Sequence, residues 1–327
     1  IMSEGPKRLG KYELQERLER GGMGEVWKAY DTQLRRYVAI KVLHANLRAN
    51  PDFISRFTRE AQFVASLHHP NIVQVHDFQF TDSGSSGSTA YMVMDYVEGG
   101  TLANYIRATS RKGLFPSAAD IMFLFTAISL ALDYAHQRGM IHRDIKPANI
   151  LLDKRNRIGK PMGEPILTDF GIARLQGAAA TNITASILGT PRYISPEQAK
   201  GLPGDERSDL YSLGIILYEI VTGITPFQGD NPMAIMMQHL YELPTPPILI
   251  NPTIPPALSA VVLQSIAKDP ADRFSTASAM TVALAQALNV PVPSSLQRSP
   301  NLSVEPDYNP CLLYTSPSPR DREKSRM

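Results

Sequence analysis

The sequence predicts an α+β fold of two lobes: a small antiparallel β-rich lobe with one helix, and a larger, mainly helical lobe. Its 327 residues, 43% of them hydrophobic, are enough to bury a sizeable core in each lobe. Short strand-like segments fill residues 12–96, whereas apolar residues recur at helical spacing from Thr101 onward. Strands followed by helices are typical of α+β proteins, and the crevice between two lobes is the natural place for a ligand.

In the small lobe, runs of β-branched, aromatic and other apolar residues are separated by glycine-rich or polar turns. The predicted strands are residues 12–14, 26–30, 37–43, 72–80 and 90–96. One amphipathic helix follows Pro51, because apolar residues recur there with helical periodicity. These residues are Phe53, Phe57, Ala61, Val64 and Leu67.

The large lobe contains six segments with helical patterns. They cover residues 102–109, 117–138, 209–222, 231–240, 256–267 and 276–288. Residues 121–132 form the longest apolar stretch, which is shorter than a membrane span and predicts a buried helix. The methionines at 233, 236 and 237 predict a packing face on the fourth of these helices.

Composition excludes several classes of function. A formal net charge of +2 is too small to indicate a nucleic-acid partner or an anionic membrane surface. A single cysteine, Cys311, excludes a disulfide framework and a cysteine-based zinc site, and it fits a reducing compartment. Because no charged-then-apolar leader follows Met2, we expect no signal peptide and a cytoplasmic location.

A glycine-rich segment lies between the first two predicted strands, with Gly21, Gly22 and Gly24 close together. Glycines in a hairpin let backbone N–H groups approach phosphate oxygens, since no Cβ intervenes. This signal is weak alone, because such glycines often mark only a turn. The segment also lacks the pattern of a P-loop.

A lysine, Lys41, follows the apolar strand residues Val38, Ala39 and Ile40. It can simply end a strand, but Glu60 on the amphipathic helix is a candidate partner. Such a pair would hold the ammonium where it can bind the α- and β-phosphates of a nucleotide.

The most specific segment is the loop of residues 142–149, which concentrates charged groups between apolar flanks. Asp144 can accept a hydroxyl proton, Lys146 can neutralise a transferring phosphoryl group, and Asn149 can bind Mg²⁺. Asp169 supplies a second metal-binding carboxylate, on a turn that the following Gly171 opens.

A further motif, Ser-Pro-Glu-Gln, occupies Ser195–Gln198. With this motif included, residues 12–288 resemble the bacterial, eukaryotic-like serine/threonine protein kinases in the order of their motifs. The resemblance implies a bilobal protein-kinase-like fold that transfers the γ-phosphoryl group of ATP to serine or threonine hydroxyls of proteins. It implies ATP with Mg²⁺ (or Mn²⁺) as cofactors. The catalytic residues would be Asp144, Lys146, Asn149 and Lys41, with Asn149 and Asp169 holding the metal.

For the nucleotide, the resemblance implies a glycine-rich cover over the phosphates and an apolar sandwich around the purine. Met94 would be the gatekeeper, and Asp95 and Val97 would offer backbone groups to adenine. The whole set is Gly21, Gly22, Gly24, Val26, Ala39, Lys41, Glu60, Met94, Asp95, Val97, Leu152 and Asp169.

For the protein substrate, the resemblance implies docking around residues 189–191, with Thr190 reaching toward Asp144. Glu197 would pair with Arg273, and Asp209 would hold the catalytic loop from beneath. Lys146, two residues after Asp144, is typical of serine/threonine specificity.

Regulation by phosphorylation of the activation segment is expected from the same resemblance. Thr184 is the favoured acceptor, followed by Thr181, and Ser186 also lies in the segment. A phosphate would bring about two negative charges near Arg143 and would order the segment.

Two other readings remain open. Glu19 stands where the family has its first loop glycine, so a pseudokinase or nucleotide-binding scaffold is the alternative. A small-molecule phosphotransferase on a related fold is less favoured, because the activation segment and Ser195–Gln198 serve peptide substrates.

The expected organisation is a leader (1–11), a kinase domain (N-lobe 12–96; hinge and C-lobe 97–288) and a Pro/Ser-rich linker (289–310). Residues 311–327 resemble the read-through translation of a sequencing-library adapter, so we expect them not to be native. The implied partners are ATP, proteins with serine or threonine, and a second copy for trans-autophosphorylation. We expect no nucleic-acid partner. We expect membrane attachment, if the protein has any, only through a C-terminal segment that this sequence lacks.

Overall fold

The computed structural model describes residues 8–21, 24–44, 51–81, 89–110, 113–155, 162–170 and 191–297. Within them, the two expected lobes are present: a sheet with one helix, then a mainly helical lobe.

The N-lobe is built on a six-stranded antiparallel sheet in the order β1-β2-β3-β4-β6-β5. Its strands are β1 (Arg8–Leu9), β2 (Tyr12–Arg20), β3 (Gly24–Asp31), β4 (Arg36–Leu43), β5 (Val75–Thr81) and β6 (Thr89–Asp95).

Strand β4 shows how the sheet separates its two faces. Val38 and Ile40 pack into a small outer cluster, whereas Ala39 and Leu43 belong to the large core that continues into the C-lobe. Successive side chains of a strand point to opposite faces, so Lys41 shares the inner face with Ala39. The sequence therefore directs the lysine toward the other lobe.

One helix, α1 (Pro51–Ala65), is present where the sequence predicts it, and it packs on the inner face of the sheet. Phe57, Ala61 and Val64 are buried along one stripe, at the spacing expected for an amphipathic helix. Proline at its first position is preorganised for helix geometry and needs no N–H partner there.

The C-lobe is mainly helical. Its helices are α2 (Leu102–Ser110), α3 (Ala118–His136), α4 (Pro196–Ala199), α5 (Glu206–Thr222), α6 (Pro232–Tyr241), α7 (Pro247–Ile250), α8 (Pro256–Ser265), α9 (Ala277–Ala287) and α10 (Ser294–Gln297). Ser117 and Asp120 form a capping box at the start of α3. By length and composition α3 could cross a membrane, but 56% of that span is buried inside the lobe.

A second sheet, which the sequence analysis did not assign, lies between the lobes. It has three short antiparallel strands, β7 (Gly99–Thr101), β8 (Ile150–Asp153) and β9 (Glu164–Leu167). Leu167 joins it to the N-lobe, because its carbonyl accepts from the Val73 N–H (2.8 Å) and its N–H donates to Asn71 O (2.8 Å). This junction fixes the chain two residues before Asp169.

Several details differ from the sequence-based expectations. Strand β2 continues to Arg20, through two register shifts and an exposed, polar second half that gives no apolar signal. Of the three methionines on α6 only Met236 is buried, whereas Met233 and Met237 are 49% and 47% exposed, so the predicted methionine packing face is wrong. Residues 8–9, which were expected to belong to the leader, pair with β2. Val290 and Val292, which were expected to belong to the linker, pack on the core.

Candidate active site

The glycine-rich segment forms a tight hairpin between β2 and β3. The Gly21 N–H donates to Gly24 O (2.9 Å), and the ring of His44 donates to Gly21 O (2.9 Å). A Cβ on Gly24 would meet Val42 O at 2.0 Å, so only glycine fits there. Glu19 is exposed in β2 opposite Val26. The predicted Gly22 lies outside the described residues.

Lys41 is buried at the centre of β4, opposite Val26 on one neighbouring strand and Met92 on the other. Its Nζ donates to Asp169 Oδ1 at 2.7 Å. Burial opposes the charge of Asp169, but attraction to Lys41 and its hydrogen bond prevail and lower the pKa of that carboxyl. The side chain of the predicted partner Glu60 lies outside the described residues.

The catalytic-loop candidates converge on one carboxylate. Lys146 Nζ donates to Asp144 Oδ2 (2.8 Å), and Asn149 Nδ2 donates to Asp144 Oδ2 (3.0 Å) and Asp144 O (2.8 Å). A 3₁₀ turn, Pro147–Asn149, returns the chain so that Asn149 faces Asp144. Because its nitrogen is turned to Asp144, the amide oxygen of Asn149 is the atom suited to a metal.

Asp209, at the start of α5, supports this loop from below. Its buried carboxylate accepts the N–H groups of His142 (2.8 Å) and Arg143 (2.7 Å), as expected, and it also contacts His136 Nε2 (2.8 Å). Arg143 has φ 65°, a left-handed conformation that L-residues adopt only when surrounding contacts impose it.

His142 joins the loop to the segment that carries Asp169. Its Nδ1 accepts the Asp144 N–H (3.3 Å), so Nε2 carries the proton and donates to Thr168 O (2.9 Å). The rings of His142 and Phe170 lie 4.5 Å apart. Asp169 itself has φ 63°, so His142 connects two segments that each contain a residue in the left-handed conformation, Arg143 and Asp169.

The predicted purine-binding residues lie in or against the core that both lobes share. Ala39, Met94 and Leu152 belong to one buried core, and Val26 and Val97 pack against it. The Asp95 N–H donates to Gln74 O (3.0 Å), so a backbone contact of Asp95 with a purine would use its carbonyl.

The segment of residues 193–198 is anchored at both ends. Tyr193 donates its hydroxyl to Glu219 Oε2 (2.6 Å), and its carbonyl accepts from Ser212 Oγ (2.7 Å). Gln198 Nε2 donates to Arg143 O (2.8 Å), which ties the segment to the catalytic loop. The predicted Thr190, and the candidate acceptors 181, 184 and 186, lie outside the described residues.

The expected pair between Glu197 and Arg273 is present and bidentate, at 2.8 and 2.9 Å. Burial raises the pKa of Glu197, but hydrogen bonds from Arg273 and Ser208 and the arginine charge outweigh it and lower that pKa to about 2.

Two contacts of the site were missed by sequence reasoning. His44 on the hairpin carbonyl and Gln198 on Arg143 O are single side chains that reach backbone atoms distant in sequence. The spacing of His44 from Gly21 predicts no contact. The only sequence signal for a role of Gln198 is that it belongs to the Ser195–Gln198 motif.

The donor set fits a hard divalent ion. Among the described residues, no group of three His, Cys, Asp or Glu side chains forms a metal site. One carboxylate and one amide oxygen suit Mg²⁺, which usually takes its remaining ligands from water and substrate phosphates.

A family model described as protein kinase domain matches residues 12–284. The chain belongs to the protein kinase family. A probable serine/threonine-protein kinase of Streptomyces coelicolor is 45% identical over 85% of this chain and 40% of the relative. Serine/threonine-protein kinase PknB of Mycolicibacterium smegmatis is 44% identical over 83% of this chain and 42% of its own length. These relatives confirm the resemblance to bacterial serine/threonine kinase domains.

The fold agrees with solved kinase structures. The Mycobacterium tuberculosis PknI kinase domain superposes with a TM-score of 0.67 at 27% identity, over 88% of this chain and all of that one. The kinase chain spans about two fifths of the length of the curated relatives it matches.

Proposed function

We propose that this chain is a protein kinase that transfers the γ-phosphoryl group of ATP to serine or threonine hydroxyls of proteins. The observation that carries the proposal is the Asp144 carboxylate, oriented by Lys146 and Asn149 in a loop that Asp209 holds. The relatives named as serine/threonine kinases support the same activity over a pseudokinase.

Nucleotide binding uses both lobes. The glycine hairpin covers the phosphates, Lys41 binds them, and Val26, Ala39 and Leu152 enclose the purine. The gatekeeper Met94 lies on β6 beside Ala39 of β4. Among the described residues, the ammonium of Lys41 is balanced by Asp169.

Asn149 and Asp169 are the proposed ligands of the divalent ion, Mg²⁺ or Mn²⁺. Such an ion would neutralise charge on the phosphates of the nucleotide. Asp169 suits this role because its lowered pKa keeps it ionised at neutral pH.

Catalysis then depends on positioning and electrostatics. Asp144 accepts a hydrogen bond from the attacking hydroxyl and orients it toward the phosphoryl group. Lys146, 2.8 Å from that carboxylate, neutralises the charge that develops. The hydrogen bonds of Asn149 hold Asp144 in one rotamer.

Regulation is proposed at the activation segment, with Thr184 as the first acceptor and Thr181 as the next. Phosphorylation in trans by a second copy would place the phosphate near Arg143, beside the catalytic carboxylate. We further propose that residues 12–288 act in the cytoplasm.

The test is phosphate transfer by the chain with Mg²⁺ and labelled ATP, followed by phosphosite mapping. Asp144→Asn should lower transfer by about 10²–10⁴-fold and leave the thermal shift caused by ATP unchanged. The exposed carboxylate Asp230 gives a matched control, Asp230→Asn, that should transfer normally. Equal labelling in wild type and Asp144→Asn would refute the role of Asp144. ATP binding without transfer in the wild type would identify a pseudokinase.

A further inference from the structure

Strand β3 carries a lysine, Lys28, whose ammonium lies against two aromatic rings. Its Nζ is 4.5 Å from the centroid of the Tyr37 ring and 4.7 Å from the centroid of the Tyr96 ring. A cation within about 6 Å of the face of such a ring is attracted by it. The rings of Tyr37 and Tyr96 are 6.3 Å apart, and Tyr30 packs edge-on against Tyr37 at 5.4 Å. Lys28 therefore joins β3, β4 and the residue that follows β6.

Strand pairing places this cluster on the inner face of the N-lobe sheet. Lys28 lies directly opposite Ala39 of β4, which in turn pairs with Met94 of β6. Val26 lies two residues before Lys28 on β3, and alternate residues of a strand point to the same face. Tyr37 is two residues before Ala39 on β4, so it continues the same row toward the hinge. The cluster is thus the next layer beyond the proposed purine pocket.

Tyr96 is the first residue after β6, and it connects Asp95 with Val97. Both neighbours are proposed to offer backbone groups to the purine, so the two torsion angles of Tyr96 decide whether these groups face the cleft together. Asp95 is already held by neighbouring segments, because its N–H donates to Gln74 O (3.0 Å) and its Oδ1 lies 2.7 Å from His76 Nε2. The ring of Tyr96 gives the hinge a second attachment, to β3 and β4.

We propose that Lys28 is a positioning residue for the purine, because its ammonium holds the ring of Tyr96 and thereby orients the hinge backbone. The inference rests on the proposed ATP-binding function. Without the ammonium, the hinge would sample more conformations, and the apparent affinity for a purine would fall with the fraction that is competent to bind. Lys28 acts through the hinge, whereas Lys41 is proposed to bind the phosphates.

The first test measures binding without phosphate transfer, by isothermal titration calorimetry with Mg²⁺-ATP, adenosine and inorganic triphosphate. Lys28→Gln removes the positive charge and keeps a side chain of similar length. We expect it to raise the Kd of ATP and that of adenosine by the same factor, about fivefold, the effect of one cation–π interaction. The Kd of triphosphate should stay within about twofold, since the phosphate end of the site is unchanged.

Matched variants identify the group through which the ammonium acts. Lys28→Arg keeps a cation over the rings and Tyr96→Phe keeps the ring face, so both should bind ATP as the wild type does. Tyr96→Leu removes the ring and should match Lys28→Gln. Combining these two changes should cost no more than either alone, because both remove one interaction. Arg138 lies 3.8 Å from the Tyr134 ring in the C-lobe, so Arg138→Gln is a control that loses a cation–π contact outside the hinge.

Steady-state kinetics give the second readout. Lys28→Gln should raise the KM for ATP about fivefold, while kcat and the protein-substrate KM stay within about twofold. An unchanged Kd of adenosine in Lys28→Gln, an equal rise for triphosphate, or additive losses in the double variant would each overturn the positioning role. A wild-type chain that binds ATP without transferring phosphate would refute the kinase activity, and the adenosine measurement would still decide the role of Lys28.

Discussion

The buried ion pair between Glu197 and Arg273 permits a quantitative prediction. The Arg273 side chain is fully buried and donates two hydrogen bonds to the carboxylate. Glu197→Gln removes the negative charge and leaves a buried guanidinium without its counter-ion. Removing one partner of a buried pair typically costs about 3–5 kcal/mol.

The pKa of Glu197 gives an independent magnitude. It falls from 4.5 to about 2 in the folded chain. Linkage converts this difference into about 3 kcal/mol of stability at pH 7. Because the folded-state pKa is the lower one, this stability is complete above about pH 4.5 and is lost as pH falls toward 2. The same relation leaves roughly 1 kcal/mol at pH 3.

The assay is urea denaturation followed by circular dichroism, at pH 7 and at several values down to pH 3. We expect Glu197→Gln to lower the free energy of unfolding by about 3 kcal/mol at pH 7, with the gap narrowing below pH 4.5. The double variant with Arg273→Met should lose less than the sum of the single variants, because no charge stays buried. An exposed control, Glu206→Gln, should stay within about 1 kcal/mol.

Two results would refute this reasoning. A loss below about 1 kcal/mol in Glu197→Gln would show that the pair contributes no more than an exposed one. A gap that does not change between pH 7 and pH 3 would show that the carboxylate does not titrate as assigned.

Two further predictions concern the site. Gly24→Ala places a methyl group 2.0 Å from Val42 O, so the hairpin must shift; we expect the KM for ATP to rise about tenfold or more while the protein-substrate KM holds, measured by steady-state kinetics. Asp209→Asn replaces an acceptor of two backbone N–H groups by an amide with one acceptor atom; we expect kcat to fall about 10²-fold with ATP binding retained, and a kcat near wild type would contradict the support role.

The elements with strong periodicity were predictable from the sequence. Helix α1 and the longer helices of the C-lobe were expected within a few residues of their bounds, because their buried faces repeat at helical spacing. Strands β7 and β9 were missed, since they are three to four residues long, and the pairing of β7 with β8 joins segments far apart in the chain. The error on α6 has a related cause. Three methionines suggested one buried face, yet the helix turns 233 and 237 outward.

For the site, residue identity was predictable but the partners were less so. Asp144, Lys146 and Asn149 converge because they share one short loop. Lys41 was expected to meet Glu60, whereas the contact that the described residues show is with Asp169, 128 positions away. The backbone acceptors of His44 and Gln198 have no sequence signal, because any residue has a carbonyl.

The support of the catalytic loop by Asp209 has a consequence for how this protein can change over generations. The shape of the loop is imposed by a carboxylate on a neighbouring helix, whereas the reaction depends on side chains within the loop. Mutations can therefore change the conformation of the loop and its chemistry separately. A descendant in which Asp144 is replaced would keep the conformation of the loop but lose its catalytic activity, and the loop would be free to acquire another function. A descendant in which Asp209 is replaced would lose the conformation of the loop, although its sequence would still contain every reactive side chain.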